Sequence, residues 1–126
     1  MSQRPMVLGL LVCEQVIVEA ATHNVTLVNC FTSMKVEQFP SEARRFTIFA
    51  ALAGALGDVP LAVQVNRLDT LEAVFRQTQI VRFPDKLREV RFIFRVSRCS
   101  FPVAGAYEAT LAADGEPLAS HKFHVW

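Results

Sequence analysis

The chain has 126 residues, of which 52% are hydrophobic, and its formal net charge is +1 at pH 7. This length suits a single folded domain over residues 1–126, and the hydrophobic fraction excludes a disordered chain. The near-zero charge provides no long-range attraction to nucleic acid or to an anionic membrane, so we expect no membrane partner.

The first element is an apolar run from Met6 to Val12 that follows Arg4. This run is too short to span a bilayer, and it is the bare minimum for the core of a signal peptide. We therefore interpret it as a first β-strand and not as a leader, and we expect a cytoplasmic protein.

The middle of the chain shows strand patterns of two kinds. The segment Arg45 to Leu56 is apolar on both faces, as in a strand that is covered on each side, although its alanines also allow a helix. Leu61, Val63 and Val65 alternate with polar or small residues, as in a half-buried strand. The stretch Leu71 to Gln79 fits both a helical stripe and a strand, and β-branched residues near its end favour the strand.

The clearest alternation runs from Glu89 to Val96. Arg91, Ile93 and Arg95 fall on one face of this segment. The other face carries only apolar side chains: Val90, Phe92, Phe94 and Val96. Because a helix would scatter the phenylalanines around its axis, we predict a strand whose Phe92 and Phe94 point into the core.

The last element is a hairpin around Asp114-Gly115. Asp-Gly between alternating residues is a strong hairpin signal, because the tight turn needs positive φ. A two-residue loop would place Leu111 opposite Leu118, whereas a three-residue loop centred on the glycine would place Tyr107 opposite Phe123. The sequence leaves both registers open.

Turn signals recur at intervals of roughly ten residues along the chain. There is no internal repeat, low-complexity segment or linker between them. Many short strands at this spacing predict an all-β fold, either a sandwich or a barrel.

Three stretches carry a resemblance to a known family: residues 27–31 running on to Phe39-Pro40, then Phe83-Pro84-Asp85, then Phe101 to Tyr107 leading into Asp114-Gly115-Glu116. In order and spacing they resemble a family of uncharacterised bacterial proteins, the DUF6941 type, over nearly the whole chain. That family commonly has a proline where this chain has Ala104. The resemblance implies a bacterial source, an immunoglobulin-like antiparallel β-sandwich of about seven to eight strands, and no catalytic residues.

The histidines do not have the spacing of a metal site. His121 and His124 are three residues apart, and on a strand such residues point to opposite faces. His23 lies in a distant turn. We therefore expect no metal ligands and no cofactor.

The three cysteines, Cys13, Cys30 and Cys99, are widely and irregularly spaced. We interpret them as buried reduced thiols in a reducing cytoplasm. Cys13 and Cys30 lie inside apolar strand patterns, which predicts buried and inert thiols. Cys99 follows Arg98 and is the cysteine nearest to positive charge.

The motifs of nucleotide binding, serine hydrolysis and zinc proteolysis are absent from the sequence. We therefore expect that the protein is not an enzyme, with no catalytic residues and no identifiable small-molecule substrate. The rival hypothesis is an enzyme whose site is assembled from distant loops.

Positive charge is concentrated between Arg76 and Arg98, in Arg76, Arg82, Lys86, Arg88, Arg91, Arg95 and Arg98. Such a cluster can hold phosphates, so the alternative function is a nucleic-acid- or anion-binding domain. The aromatic residues, however, alternate to the face opposite Arg91 and Arg95. Since no stacking platform accompanies the charge, we do not expect nucleic-acid binding.

The preferred hypothesis is a protein-interaction or structural module, either a homodimer or a domain that contacts another protein. The observation behind it is the excess of apolar residues, which includes Ile93 on the face away from the phenylalanines. Arg91, Ile93 and Arg95 form the predicted interaction surface. The competing explanation is a helix or long loop around Leu71 to Phe75 that folds over the second face from within the chain.

Overall fold

The computed structural model describes residues 4–126, and over this range the chain forms nine β-strands and no helix. Accordingly, no helix in these residues is long and apolar enough to cross a membrane. The all-β prediction is confirmed. The strands are β1 (Met6–Val18), β2 (Val25–Cys30), β3 (Ser33–Met34), β4 (Arg44–Ala53), β5 (Gly57–Arg67), β6 (Ala73–Phe83), β7 (Val90–Cys99), β8 (Gly105–Ala113) and β9 (Glu116–Val125). The count exceeds the predicted seven to eight, and β3, at two residues, is too short to show any hydrophobic period.

The strands form two sheets with the orders β2-β1-β4-β7 and β3-β9-β8-β5-β6. Every pairing is antiparallel except the short one between β3 and β9. The two sheets enclose a shared core, which gives an immunoglobulin-like sandwich. β6 and β7 form edges of opposite sheets and touch each other.

Buried and outer side chains alternate along β4 and β7, and the buried ones form the inner face of the first sheet. Ile48 pairs with Phe94 and Ala50 pairs with Phe92, and all four side chains are buried. The inward direction predicted for Phe92 and Phe94 is therefore confirmed. The two side chains of each pair point to the same face of the sheet, so both lie in the core.

An aromatic cluster joins the two sheets at one end of the core. The Phe101 ring lies 4.8 Å from Tyr107 and 6.0 Å from Phe123, centroid to centroid. Phe46 of the first sheet lies 6.0 Å from Phe123 of the second. The Tyr107 hydroxyl donates a 2.7 Å hydrogen bond to the Val103 carbonyl, so this buried ring keeps its polar group satisfied.

The final hairpin combines the two registers that the sequence left open. Asp114 and Gly115 have φ values of 50° and 74°, so they form a two-residue loop of the kind with positive φ at both positions. The pairing then shifts by one residue, because Leu118 has no partner in the ladder. This bulge places Tyr107 opposite Phe123 even though the loop has only two residues.

The ambiguous stretch Leu71 to Gln79 is resolved as a turn followed by a strand. Leu71 has a φ of 61° in the turn before β6, and the strand runs from Ala73 to Phe83. The preference for a strand is therefore confirmed from Ala73 onward.

The hairpin formed by β1 and β2 bends back over the outer face of the first sheet. Arg91 lies level with Gly9, near the start of β1. A straight β1 would carry its far end roughly 30 Å from that level, at about 3.3 Å per residue. Yet Arg91 Nη1 donates a 2.8 Å hydrogen bond to the carbonyl of His23, in the hairpin turn. Only a hairpin that folds back across the sheet makes this contact.

The bend occurs where β1 leaves β4 and begins to pair with β2. There Asn29 adopts a φ of 53°, and its Nδ2 donates a 3.2 Å hydrogen bond to Glu14 Oε2. Beyond the bend, Gln15 lies beside Thr47 and Arg95 on the outer side of the sheet. Thr47 and Cys13 are buried although they point away from the main core. Within the segment Arg45 to Leu56, residues 46–53 are thus buried or half-buried on both faces, whereas Arg45, Gly54 and Leu56 are exposed.

Candidate functional site

The bent hairpin covers part of the predicted interaction surface, and Arg91 and Arg95 stay exposed. Ile93 pairs with Phe49, which pairs in turn with Leu11, so an apolar row crosses β7, β4 and β1 on the outer face. Ile93 is half-buried, and Arg95 beside it is exposed. Arg91 has two partners within the chain. Its guanidinium donates to the His23 carbonyl and lies 3.5 Å from the carboxylate of Glu89.

A cover from within the chain therefore exists, but its predicted position was wrong. The segment Leu71 to Phe75 leads into β6, which belongs to the other sheet. The cover is the β1–β2 hairpin instead. The sequence signal that comes nearest to it is the His23-Asn24 turn, which marks the hairpin tip but not where the tip docks.

The N-terminal half of β1 is a free edge of the first sheet. β4 pairs with β1 from Met6 to Cys13, whereas β2 pairs with it only from Cys13 onward. On the side of β1 away from β4, the carbonyl of Val12 accepts a hydrogen bond from Phe31 N at 3.1 Å, where the contact with the β2 end of the hairpin begins. By the two-residue period of a strand, the N–H and C=O of Leu10 point to the same side. No strand among residues 4–126 pairs with them there.

The side chains along this edge are apolar and exposed. Met6 is 60% exposed, Leu8 54% and Leu11 39%. Leu8 lies where the pairing with β4 shifts between Val7 and Gly9. An exposed apolar edge strand without charges is a template for pairing with another chain.

The basic residues between Arg76 and Arg98 do not form a single patch. Arg76 and Arg82 pair with Gln64 and Asp58 on the outer face of the second sheet. Arg91 and Arg95 lie on the outer face of the first sheet, which points in the opposite direction. Arg82 also makes a 3.1 Å ion pair with Asp58. The geometry therefore does not favour the alternative function in nucleic-acid or anion binding through this cluster.

The histidines diverge as their spacing predicts. His121 pairs with buried Ala109 on the inner side of β9, whereas His124 pairs with Ala106 and is exposed. The buried Nδ1 of His121 has no hydrogen-bond partner within the described chain. Residues 4–126 contain no group of three or more His, Cys, Asp or Glu side chains able to hold a metal ion.

Comparison with known proteins places the chain in a family. The family described as "Family of unknown function (DUF6941)" matches residues 8–126. The chain belongs to the DUF6941 family. A search of curated proteins finds no match. Among solved structures, an immunoglobulin-like protein from Pseudomonas aeruginosa is 14% identical with a TM-score of 0.49, and the match covers 98% of this chain and 97% of that chain.

One of the three cysteines of this DUF6941 protein differs from its predicted environment. Cys30 is exposed, so the prediction of a buried thiol was wrong for this residue. The reason is that it lies on the edge strand β2, at the base of the bent hairpin opposite Cys13. Cys13 is buried as predicted, and burial raises the pKa of its thiol. Cys99 is also buried as predicted, and burial raises the pKa of its thiol to about 12.

These environments predict selective alkylation. In the native DUF6941 protein at neutral pH, iodoacetamide should modify Cys30 and leave Cys13 and Cys99 largely unmodified, because the thiolate is the nucleophile. Mass spectrometry of the digested protein measures each site. Rates at Cys13 and Cys99 should be lower by at least about a hundredfold, given burial and raised pKa values. Equal labelling of Cys99 and Cys30 would contradict the buried position of Cys99.

Proposed function

We propose that this protein is a non-enzymatic interaction module whose strand β1 pairs edge to edge with a second copy of the chain. The free apolar edge from Met6 to Leu11 is the observation that carries the proposal. Antiparallel pairing about a two-fold axis would join the two first sheets into one continuous sheet.

The edges formed by β6 and β7 are less suited to this pairing. β6 carries Arg76 and Arg82, and β7 carries Arg91 and Arg95. Charged side chains on an edge discourage pairing, because like charges meet when two copies approach. The segment from Met6 to Val12 has no charged residue, so self-pairing there meets no such repulsion.

The occupant is a second copy because the edge is self-complementary. Two antiparallel copies of one apolar strand place apolar side chains against apolar side chains on both faces. The exposed Met6, Leu8 and Leu11 side chains would then lose water contact, which favours association. The surface of Arg91, Ile93 and Arg95 stays a prediction. We prefer the β1 edge as the site of association, since the hairpin already covers part of that surface.

The test is the solution mass of wild-type protein and of two lysine variants, measured by light scattering after size exclusion. Wild-type protein at micromolar concentration and moderate salt should elute with twice its chain mass of 14.1 kDa. Leu8→Lys should weaken the dimer by at least about tenfold, because it places like charges across the two-fold axis. Ile80→Lys is the matched control, since Ile80 is 66% exposed on the β6 edge and should not affect the mass.

Two outcomes would overturn the proposal. A wild-type mass near 14.1 kDa at all concentrations would show that the edge does not self-associate. A dimer that Leu8→Lys leaves intact would place the interface on another surface. Circular dichroism of both variants verifies that each one is folded.

A further inference from the structure

A positively charged cleft opens at one end of the sandwich, where β1 bends toward β2. It has a volume of about 300 Å³, at the lower end of the range for small-ligand sites. Its cationic lining comes from Lys35, after β3, and from Arg44 and Arg45, at the start of β4. Phe31 and Phe46 add apolar surface.

The three cations of the cleft come from two segments of the chain, one at Lys35 and one at Arg44 and Arg45. The pairing of β4 with β7 shifts between Arg44 and Phe46, and both arginines line the cleft. Lys35 Nζ lies 5.3 Å from the centroid of the Trp126 ring, a cation–π contact that holds the ammonium near the cleft.

The charges in the cleft are not balanced. Among residues 4–126, no carboxylate lies within 4 Å of a charged nitrogen of Lys35, Arg44 or Arg45. Glu14 is the carboxylate in the lining, and it accepts its hydrogen bond from Asn29. An adjoining depression shares Glu14 and Arg45 and adds the cation Arg95.

Other carboxylates lie nearby but face a different depression. Glu37 and Glu42 line a second hollow that shares Arg44 with the cleft. Neither lines the cleft itself, and neither forms an ion pair with Arg44. The cleft therefore keeps an excess of positive charge on its own walls.

We propose that this cleft binds a small organic anion with two or more negative oxygens, either a polycarboxylate or a phosphate compound. Guanidinium groups hold carboxylate and phosphate oxygens through paired hydrogen bonds, so adjacent arginines suit such a ligand. A bound polyanion also relieves the repulsion among the three cations. The site is separate from the β1 edge proposed for association, because its only residue from β1 is Glu14, which follows the free segment Met6 to Leu11.

The test is isothermal titration calorimetry at low salt with citrate and with pyrophosphate, and with acetate as the monovalent control. Citrate or pyrophosphate should bind, and acetate should bind at least about tenfold more weakly. The more tightly bound of the two distinguishes a carboxylate from a phosphate ligand. Arg44→Gln and Lys35→Gln should each weaken binding by about tenfold, since each removes a charge-assisted contact.

Two further variants make the assignment specific. Arg76→Gln removes an exposed arginine of the second sheet and should leave the affinity within about twofold. Glu14→Gln should tighten binding, because it removes a like charge from the cleft while its amide oxygen still accepts from Asn29. Thermal melts verify that the variants fold; if Arg44→Gln unfolds, the Lys35→Gln result decides.

The proposal is overturned if neither polyanion binds at millimolar concentration. It is equally overturned if Arg76→Gln weakens binding as much as the cleft variants do, since that pattern indicates general charge attraction. Weaker binding in Glu14→Gln would also contradict it.

Discussion

Replacing Phe92 with alanine should lower the free energy of unfolding by about 3–5 kcal/mol. The ring is 2% exposed, and its centroid lies 6.0 Å from that of Phe94 on the same strand. Its partner across the ladder is Ala50, whose small side chain cannot fill the space that the ring leaves. The cost therefore includes both the lost apolar burial and a residual cavity.

The comparison variant is Arg91→Ala, one residue away on the opposite face. Its side chain makes a half-exposed ion pair with Glu89 and one hydrogen bond to His23, so the expected loss is less than about 1 kcal/mol. Urea denaturation followed by circular dichroism measures both variants. A larger loss for Arg91→Ala than for Phe92→Ala would mean that hairpin docking outweighs the core contact of the ring.

The fold could be predicted where burial leaves a local trace in the sequence. From Glu89 to Val96 the two-residue period reflects one buried and one outer face, and the structure has the same facing. The Asp114-Gly115 turn was also readable, because positive φ restricts which residues fit. The strand register beyond the turn could not be predicted, since the bulge at Leu118 comes from how the two strands pack and not from the turn residues.

No local sequence pattern indicates the bent hairpin or the charged cleft. The hairpin depends on one asparagine with positive φ and on a hydrogen bond between residues 68 positions apart. The cleft gathers Glu14, Lys35 and Arg44, which no short motif links. Cys30 was misassigned for a related reason, because an apolar pattern indicates a strand but does not show whether that strand lies at an edge.

Replacing Ile93 with aspartate tests whether the hairpin depends on the apolar row beneath it. Ile93 lies between Arg91, which contacts the hairpin turn, and Arg95, which lies beside Gln15 of the hairpin. A carboxylate at this half-buried position would lose solvation without gaining a partner. We expect a loss of about 1–3 kcal/mol in the free energy of unfolding.

The same variant should loosen the hairpin before the rest of the molecule. Hydrogen exchange measured by mass spectrometry should speed up in residues 14–30 by at least about tenfold, whereas β5 in the second sheet keeps its protection. Ile80→Asp, at an exposed position of the β6 edge, should leave both segments unchanged.

The exchange pattern and the solution mass together separate two roles for Ile93. If the side chain holds the hairpin, Ile93→Asp speeds exchange in residues 14–30 and leaves the dimer of the β1 edge in place. If the outer face is instead an interface between two chains, the variant lowers the solution mass at unchanged hairpin exchange. The second result would contradict the intramolecular cover as the main contact of Ile93 and would restore the surface of Arg91, Ile93 and Arg95 as the site of association. The half-buried state of Ile93 in an isolated chain favours the first result, because part of its apolar area is already removed from water without a partner.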